Sequence, residues 1–170
     1  MNDSEQKRRF ERLTRAYGDD LYRFAVWLCR DPTHAADLVQ ETLLRAWRAL
    51  HSLKDDKAAK SWLITILRRE HARGFERKQL PISDSDETLA ADSESGEPDH
   101  QVELAQFREA IMALEPNYRE PLVLQVLMGL SIAEIANQLE LTESAVMTRV
   151  FRAREQLKVR LERGRLQVKK

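Results

Sequence analysis

The chain has 170 residues, of which 28 are basic, 28 are acidic and one is cysteine. No stretch approaches the roughly 18 unbroken apolar residues that a membrane-spanning helix needs, and one cysteine cannot form an internal disulfide. The N-terminal segment MNDSEQKRRFERL lacks the apolar run of a secretory signal, so we expect a cytoplasmic protein without membrane insertion.

The neutral total conceals an uneven distribution of charge. Residues 1–79 hold 17 basic and 12 acidic side chains, residues 80–100 hold none and 7, and residues 101–170 hold 11 and 9. Within the last segment, residues 142–170 hold 9 basic and 3 acidic side chains. Because phosphate binding depends on a local basic excess, the neutral sum does not exclude a nucleic acid as partner.

Helical periodicity predicts an all-α fold, since apolar residues recur at spacings of three and four and sustained alternation is absent. Four capping patterns mark helix starts: Asp31-Pro32, Asn117 with Glu120, Ser131 with Glu134, and Thr142. We predict helices over residues 5–29, 32–50, 57–79, 101–114, 117–128, 132–139 and 143–164.

An acidic stretch divides the predicted helices into two small domains. It is rich in Ser, Asp, Glu and Pro and poor in large apolar residues, so it cannot bury enough surface to offset the entropy of ordering. A structureless loop of about 20 residues is also uncommon inside one compact domain. We predict an N-terminal domain over residues 1–80, a flexible acidic linker over 81–100 and a C-terminal domain over 101–170.

The second predicted helix is strongly amphipathic. Its predicted core side contains Ala36, Val39, Leu43, Ala46, Trp47 and Leu50. Its other side carries Asp37, Gln40, Glu41, Leu44, Arg45 and Arg48. A single exposed leucine is ordinary, but Leu44 inside a charged stripe also suits a protein partner, because interfaces combine an apolar centre with a polar rim.

Residues 54–79 combine basic side chains with aromatic ones. They hold 8 basic and 4 acidic groups, together with Trp62 and Phe75. Proteins that bind single-stranded nucleic acid use such basic tracks with aromatics for stacking. For Trp62, Ile66 and Phe75 themselves, a place in the core is the favoured interpretation.

The C-terminal segment has the pattern of a helix-turn-helix. Ser131 begins a short helix, and Thr142 begins a longer one after a tight turn. On the longer helix the predicted buried side holds Val146, Val150, Ala153, Leu157 and Leu161, whereas the opposite side holds Ser144, Thr148, Phe151, Arg152, Glu155 and Lys158. An aromatic beside arginine on an outer face favours a helix that enters the major groove, with Arg149 and Arg154 near phosphates. An exposed basic helix in a generic bundle is the alternative.

Over nearly its whole length the chain resembles an extracytoplasmic-function (ECF, group IV) sigma factor of bacterial RNA polymerase. Residues 36–47 are similar to the family's D-L-V-Q-E-x-x-L-R-A-W segment, Trp62-Leu63 to its W-L motif, and residues 114–157 to its promoter-reading domain. Two positions depart from the family pattern: Met147 replaces a common basic residue, and Arg69 replaces a common Asn.

This resemblance implies three binding surfaces. Core RNA polymerase would be a partner through its clamp and flap, and the N-terminal domain would bind the clamp with Asp37, Gln40, Glu41, Leu44, Arg45 and Arg48. The melted minus-ten element would be captured by a loop at about residues 51–60 and the next helix, with Lys54, Lys57, Lys60, Arg68, Arg69, Arg73 and Arg77. The duplex minus-thirty-five element would be read by Ser144, Thr148, Arg149, Phe151, Arg152, Arg154 and Lys158. It also implies an anti-sigma factor, often membrane-bound, as a partner, and a place for the linker near the RNA exit path.

Two other functions compete with this interpretation. An enzyme is not favoured, because the four histidines lack the helical pairing of a zinc motif and no phosphate-binding glycine loop occurs. We therefore predict no catalytic activity, no metal and no cofactor. A helix-turn-helix regulator that binds duplex DNA as a dimer is the closer rival, and it would need pseudo-palindromic half-sites rather than core polymerase.

Overall fold

A computed structural model describes residues 2–78 and 98–168, and every regular element in these two ranges is helical. The all-α prediction is therefore confirmed for that part of the chain. The chain divides into two compact units, residues 1–92 and 93–170. Most of the predicted linker lies outside the described residues, but its last three residues are helical, because the fourth helix begins at Pro98.

The first unit contains three helices: α1 (Asp3–Cys29), α2 (Pro32–Ala49) and α3 (Ala59–Lys78). Asp31 caps α2 as predicted, accepting a hydrogen bond from the Thr33 amide at 3.0 Å, with Pro32 at the first helical position. Two short 3₁₀ turns, Leu50–Ser52 and Asp56–Ala58, join α2 to α3. The third helix therefore begins two residues later than the sequence predicts.

The three helices pack against one another around a core of fully buried side chains, including Phe24, Leu21, Leu63, Ile64 and Leu67. Burying each such side chain contributes roughly 1.5–3 kcal/mol. A second cluster of Leu13, Leu50, Leu53 and Ala59, against which Trp62 packs, lies where α1 meets the turns and the start of α3. The core interpretation of Trp62 is thus confirmed, whereas the side chain of Phe75 lies outside the described part.

The buried face of α2 differs from the predicted one. Ala35, Thr42 and Ala46 are buried, whereas Ala36 is exposed and Trp47 is 37% exposed with its ring edge-on to Phe10. Thr42 can be buried because its hydroxyl donates a hydrogen bond to the Leu38 carbonyl at 2.7 Å. The core face is therefore rotated by about one residue from the predicted one.

The second unit contains α4 (Pro98–Met112), α5 (Pro116–Val126), α6 (Ile132–Leu139) and α7 (Glu143–Val168). The other three helices all pack against α7, and α5 also packs against α6. The predicted cap at Asn117 is wrong, because α5 begins at Pro116 after an extended Glu115 with no capping side chain. Proline fixes its own φ in the helical range and disfavours a helical residue before it, so it sets this boundary.

A tight turn joins α6 to α7 as predicted. Ser131 and Glu134 form a capping box at the start of α6. The helix ends at Leu139 and is capped by Glu140, which has φ of 54°, and the Leu141 amide donates a hydrogen bond to the Ala136 carbonyl at 2.9 Å. The Thr142 hydroxyl then accepts a hydrogen bond from the Ala145 amide at 3.1 Å and so caps α7, which begins at Glu143.

Candidate nucleic-acid and partner interfaces

The outward side of α2 carries a stripe of exposed residues around one leucine. Leu44 is 49% exposed, and Asp37, Gln40 and Arg48 are exposed at helical spacings from it. Glu41, also in this stripe, is half-buried. We call these five residues the α2 face; a small apolar centre with a charged border is an arrangement typical of protein interfaces.

Arg45 is predicted to belong to the same surface, but in the structure its side chain lies towards α3. Its Nε lies 2.7 Å from Glu70 Oε1 and 3.2 Å from Glu41 Oε1. The Nε–H is not aligned for a hydrogen bond, so these contacts are Coulombic ion pairs. Arg45 is therefore held between α2 and α3 rather than projecting with Leu44.

Glu70 is the buried carboxylate of this group, and sequence analysis did not single it out. Its side chain is only 7% exposed, and its Oε1 also lies 3.2 Å from an Arg73 guanidinium nitrogen. Burying an ionised carboxylate is unfavourable unless it is paired, and two arginines provide that pairing here. The spacing of Glu70 from Leu63 and Leu67, both buried on α3, is the signal that places it on the core face.

Replacing Glu70 with Gln should destabilise the first unit. The substitution keeps the size of the side chain but removes the negative charge beside Arg45 and Arg73. Because both arginines are partly exposed, water will compensate in part, and we expect a loss of about 1–2 kcal/mol in the free energy of unfolding. Urea denaturation measures it, and Glu76→Gln, an exposed acid on the same helix, is the control. Equal stability of the two variants would contradict a supporting role for Glu70.

The loop between α2 and α3 is tied to α1 by a second charged group. Arg9 donates hydrogen bonds to Asp56 Oδ1 at 2.8 Å and to the Leu53 carbonyl at 2.6 Å, and Arg12 donates one to Asp56 Oδ2 at 2.6 Å. Hydrogen bonds from Arg12 and Arg9 lower the pKa of Asp56 below its ordinary value. Residues 53–56, part of the predicted minus-ten capture loop, are thus fixed by side chains more than 40 residues earlier.

This anchoring predicts a stability difference that depends on pH. Asp56→Asn should lower the free energy of unfolding by about 0.5–1 kcal/mol near neutral pH, a modest value because the group is solvent-screened. Since the folded pKa lies below the unfolded value, the contribution is complete above the unfolded pKa of about 3.9 and is lost as pH falls through the folded pKa. Thermal unfolding at about pH 7 and about pH 3 measures it, with Asp19→Asn, an exposed acid on α1, as control. A difference that persists undiminished at the lower pH would contradict this account.

The residues predicted to hold the minus-ten strand are not all on one surface. Lys54 and Lys57 are exposed on the loop, and Arg69 is exposed on α3. Lys60 is half-buried and forms an ion pair with Asp20 of α1, with Nζ 3.0 Å from Oδ2. The loop lysines and Arg69 are therefore the better-placed members of this set.

Along α3 the arginines point in different directions. Five residues separate half-buried Arg68 from exposed Arg73, so at 100° per residue their side chains leave the helix about 140° apart. Arg69 and Arg73, four residues apart, share a side. The side chain of Arg77 lies outside the described part of the structure. Because Arg68 and Arg73 leave α3 on different sides, the arginines of this helix do not form one continuous basic surface.

The outer side of α7 matches the predicted groove-reading face. Val146, Val150, Ala153 and Leu157 are buried, and Phe151 on the other side is 64% exposed. The polar residues predicted for that side are all exposed: Ser144, Thr148, Arg152, Glu155 and Lys158. Arg149 is half-buried, and Arg154 donates a hydrogen bond to Gln125 Oε1 of α5 at 2.8 Å. Of the seven residues predicted to contact the minus-thirty-five element, all but Arg149 and Arg154 thus lie together on one exposed face, and Arg154 is oriented by α5.

None of the helices described for residues 2–78 and 98–168 combines the length and apolar character needed to cross a bilayer. No group of three or more His, Cys, Asp or Glu side chains in those ranges is arranged to hold a metal ion.

Comparison with known protein families identifies both units. Residues 13–80 match the family described as Sigma-70 region 2, and residues 104–157 match Sigma-70, region 4. The ECF RNA polymerase sigma factor SigM of Bacillus subtilis (strain 168) is 31% identical over 157 residues, which cover 91% of this chain and 96% of SigM. The ECF RNA polymerase sigma factor EcfG of Rhodopseudomonas palustris (strain TIE-1) is 33% identical over 139 residues, or 81% of this chain and 76% of EcfG.

Two solved structures are similar to the chain. One is CnrH in complex with the cytosolic domain of CnrY, with a TM-score of 0.68, 28% identity, and coverage of 92% of this chain and 89% of CnrH. The other is the sigma factor RpoE in complex with the anti-sigma factor NepR from Bartonella quintana, with a TM-score of 0.64, 26% identity, and coverage of 92% and 96%.

Proposed function

Because the chain belongs to the ECF sigma factors of bacterial RNA polymerase, we propose that it divides three binding tasks among three of its surfaces. As a sigma factor it directs promoter-specific initiation of transcription by core polymerase, and no catalytic step of its own is needed for that role. Its place of action is the cytoplasm, where the polymerase works.

Core polymerase binds the α2 face, with Leu44 at its centre. An apolar side chain that is 49% exposed gains most from a partner that removes it from water, and the charged residues around it set the orientation of that partner. Arg45 contributes through its ion pair with Glu70 by fixing α2 against α3, rather than as a central contact.

Promoter DNA is bound by both units. Lys54, Lys57, Arg69 and Arg73 are the candidates for the phosphates of the melted minus-ten strand, while the exposed side of α7 enters the duplex at the minus-thirty-five element. The observation that carries this assignment is Phe151, a large aromatic side chain, 64% exposed and beside Arg152 on a helix whose other side is buried. Water does not favour such a residue, but the major groove offers it thymine methyls and offers Arg152 guanine acceptors.

A protein inhibitor is the third proposed partner. The similar structures of CnrH and of RpoE each contain a second protein, and for RpoE this is an anti-sigma factor. Several large apolar side chains of the second unit are more than half exposed, among them Val102, Leu104 and Val126. We propose that an anti-sigma factor holds the chain inactive by covering part of its binding surface.

Reconstitution with core polymerase tests the function. Purified chain and bacterial core RNA polymerase are mixed with fragments of genomic DNA, and transcripts are compared with those made by core alone. We expect new transcripts from promoters without two-fold symmetry, and no tight binding of the isolated chain to duplex DNA. Tight binding to pseudo-palindromic sites without polymerase, and no new transcript with it, would instead indicate a dimeric helix-turn-helix regulator.

A further inference from the structure

Within its first three turns, α7 exposes an apolar pair, of which the assignment above uses only Phe151 and not Met147. Met147 is 55% exposed and Phe151 is 64% exposed. They are four residues apart, so their side chains leave the helix within about 40° of each other and lie side by side. Both are in the N-terminal half of the helix, which is the part of a recognition helix that reaches base edges.

The polar residues beside this pair leave few hydrogen-bond donors there. The Thr148 hydroxyl donates to the Ser144 carbonyl at 3.0 Å, so its hydrogen is used within the helix. Thr148 can then offer only its methyl group and its oxygen lone pairs. The nearest guanidinium on the exposed face is that of Arg152, one residue beyond Phe151. The N-terminal part of this exposed face therefore has few hydrogen-bond donors and several apolar groups.

In the major groove the apolar feature that distinguishes one base pair from another is the thymine methyl group. Met147 and Phe151 are separated by about 6 Å along the helix axis, at 1.5 Å per residue. Successive bases of one strand are about 3.4 Å apart along the duplex. A recognition helix enters the groove at an angle, and at about 55° to the duplex axis the 6 Å separation projects onto one step of about 3.4 Å, so in that orientation the pair can touch methyl groups on neighbouring base pairs.

We propose that Met147 and Phe151 form a thymine-selecting pair, which reads the 5-methyl groups of adjacent A·T pairs within the minus-thirty-five element. The proposal rests on the assignment of α7 to duplex promoter DNA. Met147 would then be a specificity-determining residue that favours thymine. A basic side chain at position 147 would instead favour guanine, because it could donate hydrogen bonds to the acceptor atoms of that base.

A selection experiment with core polymerase is the first test. Holoenzyme assembled from bacterial core and the chain selects functional promoters from a library with a randomised minus-thirty-five region. We expect A·T pairs at two neighbouring positions, and loss of this preference at one of the two with holoenzyme that carries Met147→Lys. Selection of sequences without thymine at neighbouring positions would overturn the proposal.

Removal of single methyl groups is the second test. In the selected promoter each minus-thirty-five thymine is replaced by deoxyuridine, which lacks only the 5-methyl group. Loss of one buried methyl should weaken promoter binding by the holoenzyme about fourfold at the contacted positions. With Met147→Ala or Phe151→Ala the same replacement should have no further effect at the base that the missing side chain contacts, because the contact is already gone.

Val159→Ala is the matched control. Val159 is 45% exposed on the same helix, about 18 Å along the axis from Met147, so truncating it should leave the fourfold effect of deoxyuridine unchanged. If deoxyuridine is neutral at every position, or acts equally in the wild type and in both apolar variants, the pair does not read methyl groups. Failure of the proposed function would look different, since the unmodified promoter would then give no transcript that depends on the chain.

Discussion

Leu44→Asp is expected to weaken assembly with core polymerase, reducing affinity by about 100-fold. The substitution removes the apolar centre of the α2 face and places a carboxylate where the partner would have to desolvate it. Because Leu44 is 49% exposed in the free chain, the helical content and thermal stability should not change. Binding of labelled chain to purified core, followed by fluorescence anisotropy, measures the effect, and circular dichroism verifies the fold.

Tyr22→Asp provides the control for this result. Tyr22 is 41% exposed on α1 and lies outside the proposed α2 face, so the same loss of an apolar side chain and gain of charge should leave core binding near that of the wild type. Unchanged affinity in Leu44→Asp, or an equal loss in both variants, would mean that the α2 face is not the polymerase surface.

Arg152→Ala should impair the use of promoters and leave core binding intact, which is the reverse of the defect expected for Leu44→Asp. An arginine that donates two hydrogen bonds to one guanine contributes about 1–3 kcal/mol of discrimination, so use of cognate promoters should fall about 5- to 150-fold. The side chain is exposed on α7 and distant in sequence from the α2 face, so core binding should stay intact. Transcription from a series of promoters with single substitutions in the minus-thirty-five element shows which base loses its preference.

The control here is Arg160→Ala, on the same helix. Arg160 is exposed about 80° around the helix from Arg152, so the change removes an equal charge from a different side. It should weaken binding to all promoters by a similar small factor, if at all. If Arg152→Ala also behaved in this uniform way, the arginine would be a phosphate contact, and if it and Leu44→Asp impaired only DNA binding, the division of surfaces proposed here would be wrong.

Helices α6 and α7 of the second unit were predictable because their capping residues and apolar periodicity agree with the way they pack. In α6 a complete capping box precedes a short apolar stripe, and Thr142 caps α7 directly after the turn. The start of α5 was mispredicted because two local signals compete there. Pro116 sets φ covalently, whereas a capping hydrogen bond by Asn117 is worth only about 1 kcal/mol, so the proline decides the boundary.

The exposed residues of the candidate surfaces were also accessible from helical periodicity, as Leu44 and Phe151 show. The ion pairs between different helices and loops were not predictable in this way. The contact of Asp56 with Arg9 and Arg12 joins residues 44 and 47 positions apart, and no periodicity reports on such a pair. Arg45 shows the same limit, because its sequence position suits the polymerase surface but a buried acid on another helix attracts its side chain.

Glu70 has a consequence for genetics. It lies under Arg45, at the edge of the α2 face, and beside Arg73, a candidate contact to the melted strand. An allele altered at position 70 would therefore impair two activities at once while much of the protein remained folded. In a mutant screen such an allele would have the phenotype of a complete loss of function, although the protein would lack only one negative charge. Suppressors restoring an anion near both arginines would distinguish it from true loss of the protein.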